Sequence, residues 1–128
     1  MEEIFFFEDG AKPLPASEVS ITKVKLKPYP DCFRLHTSIT ISPSIDKPNL
    51  SITISTGSGI TIVTAEILEP LSTTTDITLH LPSSITVNEL HTLTVELYYQ
   101  DQPIQDHKII EFYPNENLVH ASTTNPKN

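Results

Sequence analysis

The segment from Cys32 to Ser42 alternates regularly between apolar and polar side chains. The odd-numbered positions are mostly apolar, and the even-numbered positions are polar apart from Cys32. The odd-numbered residues are Phe33, Leu35, Thr37, Ile39 and Ile41. Successive side chains of a β-strand point to opposite faces of the sheet. The alternation therefore predicts a strand with one face buried and the other in water.

The same alternation recurs along most of the chain, and no segment has a convincing helical period. We expect about seven to nine strands. The clearest segments are 19–27, 33–42, 50–55, 60–68, 76–81, 92–100 and 108–113. In the first of them the apolar residues change from odd-numbered to even-numbered positions between Ile21 and Val24. This change predicts a β-bulge near Thr22 and Lys23.

Short strands separated by frequent turns are typical of an all-β, two-sheet antiparallel β-sandwich, with a closed barrel as the alternative. We assign residues 17–114 to this sandwich, residues 1–16 to an apolar and proline-containing lead-in, and residues 115–128 to a polar tail. The expected core contains Val19, Ile21, Val24, Leu26, Phe33, Leu35, Ile39, Ile41, Ile52, Ile54, Ile77, Leu79, Leu93, Val95, Leu97 and Phe112.

The segment HTLTVELYYQDQPIQDHKIIEFY, which ends at Tyr113, resembles the final hairpin of disulfide-free immunoglobulin-like modules. Among these are the fibronectin type III kind and the accessory sandwich domains of bacterial glycosidases. The resemblance covers roughly residues 17–114 and implies an immunoglobulin-like order of strands. It carries no functional residue onto this chain.

Composition narrows the classes of partner. The chain has 128 residues, a size that suits one domain, and its net charge is -8. The acidic balance disfavours nucleic acid, because phosphate binding needs clustered lysine and arginine. The local exception is Lys23, Lys25 and Lys27, which alternate and share one strand face. That face is interpreted as solvated, with a patch for an anion or an acidic partner as the alternative.

The N-terminus lacks the features of a secretory signal, since its apolar run is short and no basic residues precede it. No segment is long and apolar enough to insert into a membrane. The single cysteine, Cys32, cannot form an internal disulfide, and it is interpreted as a small, partly buried residue. We therefore expect a cytoplasmic location.

No motif of the sequence indicates catalysis, a metal or a cofactor. There is no G-x-S-x-G elbow, no H-E-x-x-H pattern and no glycine-rich phosphate loop. His36 and His80 fall on the outward parity of their strands and could approach if those strands pair. Unrelated surface histidines are the preferred interpretation. We expect a protein that is not an enzyme, with no catalytic residues, no metal site and no cofactor.

The preferred hypothesis for function is a structural or protein-interaction module, which could form one part of a larger assembly. The apolar residues Ile4, Phe5, Phe6 and Phe7, flanked by acidic residues, form its candidate docking segment. That segment would either complete this domain's own sheet or insert into a protein partner, which could be a second copy.

Two alternatives stay open. One is a carbohydrate- or small-ligand-binding sandwich that uses Tyr29, Tyr98 and Tyr113 as an exposed platform. The other is an enzyme whose site is assembled from residues far apart in the sequence.

Overall fold

The computed structural model describes residues 12–115, and these residues form seven β-strands preceded by one turn of 3-10 helix. The turn spans Ala16–Glu18. The strands are β1 (Ile21–Pro28), β2 (Arg34–Ile41), β3 (Asn49–Ser55), β4 (Thr61–Leu68), β5 (Thr74–His80), β6 (His91–Tyr98) and β7 (Ile104–Phe112).

The strands form two sheets, and every pairing between them is antiparallel. The small sheet has the order β1-β2-β5, and the large sheet has the order β4-β3-β6-β7. This is the predicted two-sheet antiparallel sandwich, with the fourth strand attached to the large sheet. The predicted β-bulge is also confirmed, because the register of β1 against β2 shifts between Ile21 and Lys23.

The core lies between the two sheets and is built from the inward parity of each strand. In the large sheet, β3 and β6 place three apolar pairs opposite one another. All six residues are completely buried: Leu50 with Leu97, Ile52 with Val95, and Ile54 with Leu93. The small sheet contributes Leu35 and Ile39 from β2, which are equally buried. Alternation therefore identified the buried face correctly on the central strands.

Phe33 was predicted to be in the core and is instead 37% exposed. It precedes the first residue of β2, and the preceding Cys32 has a φ of 68°, so the extended backbone is interrupted just before Phe33. Val24, Leu26 and Ile77 are only partly buried. They lie on β1 and β5, the two edges of the small sheet, where fewer neighbours cover a side chain.

Strand β7 begins at Ile104, four residues before the predicted start at 108. The added residues include polar side chains that form hydrogen bonds with the backbone of the segment just before β1 and with the first residue of β1. Asp106 Oδ2 accepts a hydrogen bond from the Ile21 amide at 2.7 Å, and Gln105 Nε2 donates to the carbonyl oxygens of Ala16 and Val19 at 2.6 and 2.7 Å. Apolar alternation could not reveal this part of the strand because its side chains pair with backbone groups.

The connections divide between two ends of the sandwich. At the β1–β2 end, the Leu81 amide donates to the Phe33 carbonyl at 2.8 Å. At the β2–β3 end, loop 42–48 meets loops 69–73 and 99–103, and the Tyr99 hydroxyl donates to the Asp46 carbonyl at 2.8 Å. Each of these two ends carries a candidate functional surface.

Replacing Ile39 by Ala tests the assignment of the buried face. The side chain is completely buried on β2, and its removal leaves a cavity between the sheets. We expect the free energy of unfolding, measured by urea denaturation, to fall by about 2–5 kcal/mol. Thr78→Ala on the exposed face of β5 is the control and should change it by less than about 0.5 kcal/mol. Equal effects at the two positions would contradict the assignment.

Replacing Thr37 by Val should have the opposite effect. Thr37 is completely buried on β2, and its Oγ1 has no hydrogen-bond partner among the described residues. A buried hydroxyl without a partner costs about 1–3 kcal/mol, and valine has nearly the same shape without that cost. We expect the free energy of unfolding to rise by about 1 kcal/mol. A loss of stability in the same urea assay would show that the hydroxyl is satisfied in solution.

Candidate functional site

The three tyrosines of the predicted platform do not come together. Tyr98 ends β6 and pairs with Asn49, which places it at the β2–β3 end of the large sheet. Tyr29 follows β1, and Tyr113 follows β7, so both lie at the opposite end of the sandwich. The sequence could not show this separation, because it depends on which strand ends meet in space.

Tyr98 is engaged with a carboxylate on its own sheet. Its hydroxyl donates to Glu66 Oε1 at 2.6 Å. Glu66 lies on β4, and β3 separates it from β6, so the tyrosine ring reaches across β3. The residue of β3 opposite Glu66 is Ser51, whose small side chain leaves room for this contact. The hydrogen bond to Glu66 is the main cause that raises the pKa of Tyr98, and burial and the negative charge of Glu66 add to it.

The turn between β1 and β2 is held by hydrogen bonds at both of its ends. The Tyr29 amide donates to the Arg34 carbonyl, and the Cys32 amide donates to the Tyr29 carbonyl, each at 2.9 Å. The Asp31 carboxylate accepts from the Phe33 amide at 2.9 Å and from Arg34 Nε at 2.8 Å. These two bonds, led by the one from Phe33, lower the pKa of Asp31. The turn therefore presents its side chains in a defined arrangement.

A cleft of about 450 Å³ opens beside this turn. Its described lining consists of Lys27, Pro28, Tyr29, Pro30 and His36. Lys27 and His36 are directly opposite in the register of β1 and β2, so both project from the outer face of the small sheet. The Arg34 guanidinium lies over the Tyr29 ring, 4.2 Å from its centroid. Two prolines and an aromatic ring thus surround a small number of polar groups, the usual composition of a ligand site.

His36 and His80, which alternation predicted to point outward, both lie on the outer face of the small sheet. Strands β2 and β5 pair, but His36 lies opposite Thr78, and His80 lies opposite Arg34. The two imidazoles are therefore offset by one pleat, and His36 Nε2 instead lies 3.3 Å from Asp76 Oδ1. Within residues 12–115 no group of three or more His, Cys, Asp or Glu side chains is arranged to hold a metal ion.

Exposed apolar side chains concentrate at the β2–β3 end. Of the six large hydrophobic residues that are exposed in the described chain, four lie there. They are Ile45 at 59%, Leu68 at 68%, Leu71 at 89% and Ile104 at 48% exposure. We call this set the apolar end. A second cleft, of about 390 Å³, lies beside Ile104, between the β6–β7 turn and the 3-10 turn that begins at Ala16.

Sequence reasoning missed the apolar end because its four members belong to two loops and two strand termini, where no period marks them. It also missed His91, which is completely buried against Phe112 with ring centroids 5.8 Å apart. Its Nδ1 donates to the Glu89 carbonyl at 2.8 Å, while Nε2 has no partner among the described residues. The alternation of β6 could have revealed the burial of His91, because His91 falls on the same inward-facing positions as Leu93 and Val95.

The predicted docking segment, Ile4 to Phe7, lies outside the described residues.

No protein-family model matches this sequence, and no curated protein does. Solved structures do match. The chain aligns with a β-glucuronidase of Bifidobacterium dentium, complexed with coumarin-3-O-glucuronide, at a TM-score of 0.54 and 15% identity, covering 75% of this chain and 18% of that one. A β-glucuronidase of Parabacteroides merdae gives a TM-score of 0.54 and 14% identity, with coverages of 75% and 13%. A candidate β-galactosidase of Bacteroides fragilis gives 0.50 and 15%, with coverages of 74% and 17%.

These alignments establish the fold and nothing finer, because the identities are low. The chain spans less than a fifth of the length of each of these proteins, at 13–18%. Within residues 12–115, no helix is long and apolar enough to cross a membrane.

Replacing Glu66 by Gln should lower the pKa of Tyr98 toward the ordinary tyrosine value of about 10. A neutral amide accepts a weaker hydrogen bond than a carboxylate and no longer repels the phenolate. The pKa of Tyr98 is raised in the folded protein, so its bond to Glu66 contributes stability below the unfolded pKa. That contribution is lost as the pH rises through the folded pKa.

An NMR titration of the tyrosine ring signals measures the change. Glu111→Gln, on β7 of the same sheet, is the matched control and should leave Tyr98 unaffected. An unchanged Tyr98 pKa in the Glu66 variant would mean that the bond does not form in solution.

Proposed function

We propose that this chain is a non-enzymatic β-sandwich module that docks on another protein through its apolar end. The observation that carries the proposal is the position of Ile45, Leu68, Leu71 and Ile104, each of which is exposed at the same end of the sandwich. Single exposed apolar residues are normal on a protein surface, whereas a contiguous apolar patch marks a site of association, and we take these four residues to contribute to one such patch. The partner therefore has an apolar patch of its own.

The shape and charge of this end support a protein partner. The cleft beside Ile104 gives the surface a concave element into which a side chain of the partner can insert. Lys47 and Asp46 lie in loop 42–48 next to Ile45, and Asp101 and Gln102 lie in the β6–β7 turn. An apolar centre with polar residues at its margin is the common composition of protein interfaces.

The non-enzymatic part of the proposal is supported by the comparisons with solved structures. The alignments agree with an accessory role, because the chain corresponds to only a small part of each larger enzyme.

A photo-reactive amino acid placed at position 71 tests the docking surface. After irradiation in a lysate of the native host, we expect a discrete cross-linked adduct with another protein. The same amino acid at position 78, exposed on the outer face of the small sheet, should give none. Leu68→Lys should reduce the yield of the adduct at position 71 at least fivefold, because an introduced charge opposes apolar contact.

The matched control is Thr64→Lys, which adds the same charge at an exposed position of the same strand. It should leave the adduct unchanged. Identical adducts at positions 71 and 78, or an adduct that survives Leu68→Lys, would contradict the proposal. Sedimentation of the purified protein shows whether the partner is a second copy of the chain.

A further inference from the structure

The cleft beside Tyr29 lies at the end of the sandwich opposite the apolar end, and the docking function leaves it unexplained. Its volume of about 450 Å³ falls within the range of small-molecule sites. The turn that forms its rim is fixed by the hydrogen bonds of Asp31 and by the contact between Arg34 and Tyr29. A ligand would therefore meet walls that are already in place, which lowers the entropic cost of binding.

The charges around the cleft are unequally compensated. Arg34 is paired with Asp31, and His36 lies beside Asp76. Lys27 has no ion pair with any carboxylate of residues 12–115, and Lys25 projects from the same face one pleat away. The cleft thus offers one uncompensated ammonium group directly opposite an imidazole.

The remaining walls are apolar. Pro28, Tyr29 and Pro30 follow one another along the chain and line the cleft beside Lys27. An aromatic ring and proline rings bind the flat face of a six-membered ring by dispersion and by excluding water. The site therefore combines one cationic contact with a surface for a ring.

This combination favours a carboxylate over a phosphate. One ammonium group matches the single charge of a carboxylate, whereas a phosphate dianion is ordinarily held by several cations or by a row of backbone amides. The net charge of the chain, -8, further opposes a multiply charged anion.

We propose that this cleft binds a small organic acid whose carboxylate contacts Lys27 and whose six-membered ring lies against Tyr29 and the two prolines. Aromatic acids and sugar acids share this chemistry. The site is independent of the docking function, because the two surfaces lie at opposite ends of the sandwich. Either proposal can fail without the other.

The test is an NMR titration of the full-length, isotope-labelled chain with four probes: benzoate, galacturonate, benzamide and acetate. We expect saturable shifts of the backbone amides of residues 27, 29 and 36 with benzoate or galacturonate. Benzamide lacks the charge and acetate lacks the ring, so each should bind at least tenfold more weakly than the better acid. Comparison of benzoate with galacturonate distinguishes the aromatic source from the sugar source.

Lys27→Gln should weaken binding of the better acid at least tenfold. The matched control is Lys23→Gln, which removes the same charge from the same face of β1 and should change the affinity less than twofold. Both positions are exposed, and the amide spectrum of each variant reports whether it is folded. Equal loss in the two variants, equal binding of benzamide or acetate, or no saturable shift with either acid would overturn the proposal.

Discussion

The structure depends on the contact between the inward face of β2 and the paired inward faces of β3 and β6. Leu35 and Ile39 on one side meet three completely buried pairs on the other, such as Ile52 with Val95. These side chains hold the two sheets together without a disulfide, since the chain has one cysteine. Because alternation puts every second residue into this contact, the intervening residues are left for the two outer faces.

Polar contacts then position the parts that the core does not reach. Asp106 and Gln105, both on β7, form hydrogen bonds with the first residue of β1 and with the segment that precedes β1. They connect an edge of the small sheet to an edge of the large one in this way. Asp31 does the same on a smaller scale for the turn at the β1–β2 end. In each case a side chain satisfies backbone groups that the irregular segment would otherwise leave unpaired. Both candidate surfaces rely on such segments, since loops build one and a turn forms the rim of the other.

The two surfaces differ in the physical basis of recognition. The apolar end offers exposed hydrocarbon from two loops and two strand ends, and the free energy of its association would come from removing that area from water. The cleft beside Tyr29 offers one uncompensated charge among rigid rings, and its selectivity would come from matching that charge. A sandwich can carry both because its two ends are connected only through the core, so neither site constrains the chemistry of the other.

The sequence by itself determined the all-β class, the two-sheet sandwich, the bulge near Thr22 and most of the core. Each follows from the period of side-chain orientation along a strand, which is local. It did not determine the exposure of Phe33, because one residue with positive φ, Cys32, interrupts the extended backbone before it. Only the tertiary structure decided that Tyr29 and Tyr98 lie at opposite ends, that His36 is opposite Lys27, and that Ile45, Leu68 and Leu71 lie at the same end of the sandwich. These relations arise from the pairing order of strands distant in sequence, which no local period encodes.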